Sequence, residues 1–427
     1  MDSRIIRVFE YDKLFYDKPD SRFEKKHWEQ LSRYNEQNQN RYYTILGRGV
    51  QFSNYVGVIQ IGNLTIEILP KVEKLSKETN NKNEKESRKK CWHDILLEML
   101  ETCKNVPVNS VKKAKLNLKS SSFLDIYLRL FLNNIQTLIH QGLIKKYKKT
   151  ETNANALKGK LLMNKHIIKN TIHKEKFYVE YTILSKDNIY NQLLLKALKI
   201  IPLITPTLRS DAKSLIAKFP ELQDIQVTKD TFDRIRYDRK TEPYKDALLI
   251  AKMIILNYRP DIKGGDQNVI AILFDMNVLW QEYVVRRMQT HTKKLGLCMR
   301  SQEKAKFWRK TVPNSRSRYI KPDILITNSN NKKVVIDTKW KIPSGLEPSI
   351  EDLKQMLIYN LYWECDQSIL LYPGEDDRLD GDYHRFPINT NVEAMGSRCV
   401  AIRANVLKNE KLDKEFCLEL LNSIAQL

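Results

Sequence analysis

Hydrophobic positions change period along the chain: they alternate near the front, take helical spacing through the middle, and show strand patterns again in the last third. The first clear alternation is Tyr55–Leu69, where Val-Gly-Val-Ile-Gln-Ile is followed by Gly62-Asn63 and then by Leu-Thr-Ile-Glu-Ile-Leu. Leu64, Ile66 and Ile68 alternate with Thr65 and Glu67, and Gly-Asn suits the positive φ angles of a tight turn. The pattern predicts a β-hairpin stopped by Pro70.

From Lys71 to Lys90 Lys, Glu, Asn and Ser dominate, with no aromatic residue. Such a segment buries too little apolar surface to offset its ordering entropy, so a flexible surface insertion is expected. Helical pattern resumes at Trp92–Leu100. Between Phe123 and Tyr147, Phe123, Leu124, Tyr127, Phe131, Ile135 and Leu138 recur at helical spacing until Gly142 interrupts, predicting a helix of about 18–20 residues. Asn191–Ile200 and Asp246–Leu256 predict further helices, so the middle of the chain reads as mainly helical. Pro260–Gln267, with Gly264-Gly265 inside, reads as a loop before the last third.

There, Tyr319–Thr327 predicts a strand opening at Pro322-Asp323, and Lys333–Lys339 a second one, with the polar turn Asn328-Ser-Asn-Asn331 between them. Asp337 and Lys339 are two apart and share one strand face. Positions 323 and 337 are symmetric about residue 330, so an unbulged hairpin sets Asp323 opposite Asp337, roughly 4.5–5.5 Å away at Cβ. Opposed carboxylates repel unless a cation lies between them, and hard oxygen ligands suit Mg²⁺ or Mn²⁺. The ion would polarise a phosphodiester and acidify a bound water, and Lys339 could orient that water or stabilise developing charge.

Flanking helices offer further groups. In Asp275–Met288 a stripe of Met276, Leu279, Trp280, Tyr283 and Val284 has Glu282 at its edge. Ser349-Ile-Glu-Asp352 is an N-cap pattern opening a helix on which Gln355 and Tyr359 stand at i,i+4, placed to hold a phosphate or brace the lysine. Each motif alone is commonly a solvated helix acid or an ordinary helix flank. Their order and spacing together point to metal-assisted phosphodiester hydrolysis.

Charge supports a polyanionic partner: 73 Lys+Arg against 51 Asp+Glu give +22. Six scattered cysteines with no C-x-x-C pair argue against structural zinc and for a reducing compartment. The N-terminus lacks an apolar signal region, and no stretch approaches the roughly 18–20 apolar residues of a membrane span, so a cytoplasmic protein is expected. The nearest P-loop candidate, Gly57 to Gly62, continues as Asn63-Leu64 inside the hairpin, so nucleotide hydrolysis is expected to belong to another protein.

Pro322-Asp323, Asp337-Thr338-Lys339, the helical Glu282 and Gln355–Tyr359 together resemble the PD-(D/E)XK nuclease superfamily. Tyr55-Val-Gly-Val-Ile, Ile66-Glu-Ile-Leu-Pro-Lys71, Gly142–Tyr147, Leu157–Leu161, Asn188…Asn191 and Asp275-Met-Asn277 narrow the resemblance to the McrC family, nuclease subunits of McrBC-type, 5-methylcytosine-dependent restriction systems. It runs from about residue 50 to about residue 375. The resemblance implies an α/β (α+β overall) fold. Residues 1–245 would form a partner-binding β plus helical region, and 246–427 a PD-(D/E)XK restriction-endonuclease-like α/β domain. It also implies a Mg²⁺-dependent endonuclease cutting modified double-stranded DNA in antiviral defence, active with McrB, a hexameric AAA+ GTPase whose GTP hydrolysis it stimulates. On it, Asp323 and Asp337, with Thr338 between the strand acid and the lysine, would hold the metal. Lys339 would be the catalytic lysine and Glu282 a further member. The Lys71–Lys90 insertion and the high basic charge depart from the family pattern. Two other readings stay open: a stand-alone restriction or recombination nuclease, and a non-catalytic regulator of a ring NTPase.

Overall fold

The computed structural model describes residues 4–18, 22–71, 82–103, 122–259, 268–312, 315–341, 343–384, 397–408 and 411–427. The protein is mixed α/β and divides into two compact units, each discontinuous in sequence. One takes Met1–Ile5, Val58–Thr65 and Val106–Ile272; the other takes Ile6–Gly57, Ile66–Asn105 and Leu273–Leu427. The units do not follow a single cut between 245 and 246. Within the second unit, early residues are tied directly to late ones: the Met276 amide donates to the Asn54 carbonyl at 2.9 Å, and the Trp340 indole donates to Glu10 at 2.7 Å. The loop read at 260–267 lies outside the described residues.

The hairpin forms as its alternation and turn predict, with strands Tyr55–Ile61 and Leu64–Leu69 and Gly62 at φ 54°. They are inner strands of a five-stranded sheet whose order is Arg4–Phe9, Leu64–Leu69, Tyr55–Ile61, Val269–Asp275, Tyr258–Arg259. Every residue of both strands is buried, Thr65 and Glu67 included. The polar positions are satisfied inside: Thr65 donates to Gln60 at 2.7 Å, and Arg7 Nε lies 2.8 Å from the fully buried Glu67 carboxylate. A buried charge is tolerated only with such a partner.

The charged insertion is shorter than its composition suggests. A helix spans Lys82–Thr102, so the segment through Lys90 is helical in its second half, and 72–81 lie outside the described residues. Lys, Glu and Arg are good helix formers, and the apolar run Trp92–Leu100 that follows supplies buried residues to anchor the helix. The predicted middle helices appear at Phe123–Gln141, Ile189–Ile204 and Lys245–Asn257. Ser122 caps the first, Gly142 at φ 88° ends it, and Asn188 caps the second. Between them, however, lies a three-stranded antiparallel sheet of Lys146–Ala154, Phe177–Ser185 and Lys160–Leu161. Lys146–Ala154 is polar on both faces, so it carries no period-two signal.

The C-terminal sheet has six strands in the order Cys298–Ser301, Ile324–Thr327, Lys333–Thr338, Gln367–Pro373, Arg398–Ala404, Asp377–Asp382. Ile324–Thr327 and Lys333–Thr338 are antiparallel; Lys333–Thr338, Gln367–Pro373 and Arg398–Ala404 run parallel. A parallel pair needs a long crossover, and the helix Ile350–Trp363 provides it. Met356, Tyr359 and Trp363 of that helix pack with Leu325, Val335, Leu370 and Tyr372 of the sheet. Among the described residues no helix is long and apolar enough to cross a membrane.

Candidate active site

The hairpin symmetry holds. Ile324↔Ile336, Leu325↔Val335, Ile326↔Val334 and Thr327↔Lys333 are all centred on residue 330, and the ladder ends one step short of Asp323 and Asp337, which share that centre. The turn is built by Asn328, whose side-chain oxygen accepts from the amides of Asn330 and Lys332 at 3.0 Å each, and by Asn331 at φ 58°. The expected strand over 319–327 is instead two short ones. Ser317–Ile320 pairs with Ala305–Arg309, and Ile324–Thr327 joins the six-stranded sheet. Pro322 has no N–H to continue a ladder, and the Lys321 carbonyl accepts from the Tyr359 hydroxyl at 2.9 Å. This break places Asp323 at the head of its strand, where the Thr338 amide and hydroxyl both donate to its Oδ2, at 2.8 and 2.7 Å.

Lys339 is the centre of a second set of contacts. Its ammonium lies 2.8 Å from Asp337 Oδ2, 2.9 Å from Gln355 Oε1 and 3.6 Å from Asp352 Oδ1. Gln355 Nε2 is 3.3 Å from Asp337 Oδ1 and 2.8 Å from the Tyr359 hydroxyl. Gln355 and Tyr359, one helical turn apart, therefore brace the lysine and lock the Pro322 break. Burial works against the lysine's charge, but the carboxylates of Asp337, Asp352 and Asp323 outweigh it and hold the ammonium above its ordinary pKa. The geometry sets Lys339 as a cation beside Asp337 and a hydrogen-bond donor to Gln355.

Asp337 is 97% shielded, with 3% of its surface exposed. Burial first, then the Asp323 carboxylate, push its carboxyl up to about 6, while Lys339 opposes the rise. Asp323, Asp337, Thr338, Lys339, Gln355 and Tyr359 line one cleft of about 770 Å³.

Glu282 is not in that cleft. It pairs with Arg286 on the next turn at 3.7 Å, while Asn277 and Gln281, at i,i+4, face the cleft. One residue along a helix is a rotation of roughly 100°, and that separates Glu282 from Gln281, whose Nε2 donates to Asp323 Oδ1. The buried stripe itself, Met276, Leu279, Trp280, Tyr283 and Val284, is as predicted.

Three groups were missed. Gln281 carries no charge and so no chemical signature in sequence. Asp352 looked like part of a cap, and it is: Ser349 accepts from its amide at 3.3 Å. Its carboxylate also bonds Lys341 and lies near Lys339; burial pushes its pKa up, but Lys341, Ser349 and Lys339 leave it below its usual value. Glu10 was too distant in sequence to suspect. It accepts from the Trp340 indole and the Lys71 amide, at 2.7 Å each, fixing the residue after Lys339 to the end of the N-terminal hairpin. Burial pushes its carboxyl up to about 7.

The donor set fits a small hard cation. Among the described residues no group of three or more His, Cys, Asp or Glu forms a metal cage, but Mg²⁺ is commonly held by one or two carboxylates, with waters and substrate phosphate completing its shell. Burial and the neighbouring Asp323 carboxylate both raise the Asp337 carboxyl, and the Lys339 ammonium at 2.8 Å offsets part of that rise. Thr338 already donates its hydroxyl to Asp323, so its side chain orients that acid.

Comparison with known proteins agrees with the fold. The model of the family described as McrBC 5-methylcytosine restriction system component matches residues 50–373. The type IV methyl-directed restriction enzyme EcoKMcrBC of Escherichia coli (strain K12) is 22% identical over 304 residues, covering 66% of this chain and 85% of its own. Among solved structures, a refined half-complex from the tetradecameric assembly of Thermococcus gammatolerans McrB AAA+ hexamers with bound McrC superposes with a TM-score of 0.63 at 18% identity, over 95% of both chains. A cryo-EM structure of the Thermococcus gammatolerans McrBC complex gives 0.50 at 18% identity, over 67% of this chain and 87% of that one.

Proposed function

The chain belongs to the McrBC 5-methylcytosine restriction system component family, and from that premise we propose that it is the DNA-cutting subunit, a Mg²⁺-dependent endonuclease with a PD-(D/E)XK-type site. The observation that carries this reading is the convergence of Asp323, Asp337, Lys339 and Gln355 in one cleft. Asp323 and Asp337 would hold the ion. When bound, it supplies Lewis-acid polarisation of the phosphodiester and a water acidic enough to attack near neutral pH. The protein's own contribution is positional. Thr338 and Gln281 fix the Asp323 carboxylate from two sides. Gln355 holds the Lys339 ammonium beside Asp337, where it can neutralise charge developing on the phosphate oxygens.

Since the site has no nucleotide-binding motif, the energy of GTP hydrolysis belongs to a partner. The solved neighbour carries McrC on McrB AAA+ hexamers, and the corresponding partner here is an AAA+ hexamer that binds GTP. Support for such a contact is an exposed apolar face on the helix Met163–Asn170 and the turn after it. Met163, Ile167, Ile168 and Ile172 are each more than half exposed there, the sort of surface that marks a protein interface. Modified-base recognition is assigned to that partner.

The test is cleavage of methylated duplex DNA by the purified chain with its AAA+ partner, GTP and Mg²⁺. Cutting that requires all three, and that Lys339→Ala abolishes, supports the reading. Efficient cutting without the partner would favour the stand-alone nuclease instead.

A further inference from the structure

We propose that the two-stranded ribbon Ala305–Arg309 with Ser317–Ile320 is a duplex-DNA grip that lies in a groove beside the scissile phosphate; this deepens the nuclease reading and rests on it for the position of that phosphate. The ribbon is rooted at its base and bare beyond it. Ala305 and Ile320, a directly opposed pair, pack against the core of the C-terminal sheet. Phe307 sits at a register shift between Lys306 and Trp308 and packs at a tilt against Tyr362, with ring centroids 5.8 Å apart. Such a bulge re-aims a side chain. Phe307, Tyr319, Ile320 and Lys321 line the same cleft as Asp323 and Asp337.

Farther out, both faces of the ribbon are exposed. Lys306 opposes Tyr319 on one face, and Trp308 opposes Arg318 on the other, with Trp308 53% and Tyr319 54% exposed. A lone two-stranded ribbon is marginal in water, and its Trp and Tyr, on opposite faces, each leave about half of their surface in solvent. Each stands beside a cation. From 304 to 322 the sequence has seven Lys and Arg and no Asp or Glu. Among the described residues, none of Lys306, Arg309 and Arg318 forms an ion pair, whereas the nearby Arg300 is matched to Glu303.

Charge of one sign, aromatic surface and a ribbon form suit duplex DNA. The major groove admits a two-stranded β-ribbon, phosphates take up lysine and arginine with release of counterions, and aromatic rings pack on exposed sugar and base edges. An acidic protein surface would also meet these bases, and GTPase stimulation by the ribbon variants separates that occupant from DNA.

The full chain carrying Asp337→Ala, so that substrate stays intact, is titrated with a short duplex by fluorescence anisotropy across a salt series. Lys306→Gln/Arg309→Gln/Arg318→Gln should weaken binding at least tenfold and flatten the dependence of log affinity on log salt by about 2.7, at about 0.9 per phosphate contact. Trp308→Ala should weaken binding with the slope unchanged. Lys306→Arg/Arg309→Lys/Arg318→Lys, which keeps the charge, should bind like the parent and so separates lost contacts from misfolding. An unchanged affinity and slope in the glutamine variant overturns the proposal. So does normal DNA binding with lost stimulation of the AAA+ partner's GTPase, which would assign the ribbon to a protein. The nuclease reading is tested separately: continued cutting by Asp337→Ala would sink it, while loss of affinity in the ribbon variants would still stand.

Discussion

Asp337→Asn isolates the tension built into the site. The carboxyl is raised from 3.8 to about 6, roughly two pKa units, and at 1.36 kcal/mol per unit the folded chain disfavours its ionised form by roughly 3 kcal/mol. Because the folded pKa lies above the unfolded one, this carboxyl contributes most to stability below about pH 4, and the contribution is lost as pH rises through about 6. An amide of the same shape never ionises. Lys339 is not stranded by the change, since Gln355 at 2.9 Å and Asp352 at 3.6 Å remain. In chelator, the asparagine variant should therefore match the wild type at or below about pH 4, draw ahead as pH rises from about 4 to about 6, and exceed it by up to roughly 3 kcal/mol at pH 8. Denaturant melts at the two pH values measure the difference. Mg²⁺ at pH 8 should raise the wild-type midpoint and leave the variant unmoved, and the wild-type response should shrink as pH falls below about 6. A variant that is less stable than wild type at pH 8, or a difference independent of pH, would refute the reading of Asp337 as a buried carboxyl whose ionisation the fold disfavours.

Gln355→Ala removes the donor and acceptor that link Lys339, Asp337 and Tyr359; a fall in cleavage rate of roughly 10–100-fold is expected, with Mg²⁺ still stabilising the fold. Asp352→Asn should slow cutting while preserving the Mg²⁺ effect on the melt, since this acid touches Lys339 and Lys341 and lies outside the carboxylate pair; equal loss of both would place it among the metal ligands. Glu282→Ala should leave the cleavage rate within about twofold, because that side chain faces Arg286. Ile167→Glu with Ile168→Glu should abolish stimulation of the partner's GTPase without lowering thermal stability, as both side chains are already in solvent.

How much of this was legible depended on whether a residue's role follows from local pattern. The hairpin centre at 330 could be found because an Asn-rich turn fixes register and strand period is two; the opposition of Asp323 to Asp337 then follows by counting. Gln355 and Tyr359 were legible for the same reason, on a helix opened by a recognisable cap. Gln281 was not, since choosing it over Glu282 requires the phase of the helix against the sheet, and charge pointed to the wrong neighbour. The sheet at 146–185 was missed because Lys146–Ala154 is polar on both faces and carries no period-two signal, and backbone pairing, from Lys146↔Ser185 to Ala154↔Phe177, defines it. The two-unit division was hidden because contact between residue 10 and residue 340 leaves no mark on either segment.

The most direct test of the central claim is Mg²⁺-dependent cleavage of methylated duplex DNA by wild-type and Asp337→Ala chains, each assembled with the AAA+ partner and GTP, with GTP turnover followed in the same tubes. Loss of cutting in the variant with stimulated GTP turnover intact is expected if Asp323, Asp337 and Lys339 form the nuclease centre. Cutting by the Asp337→Ala complex at the wild-type rate would contradict it.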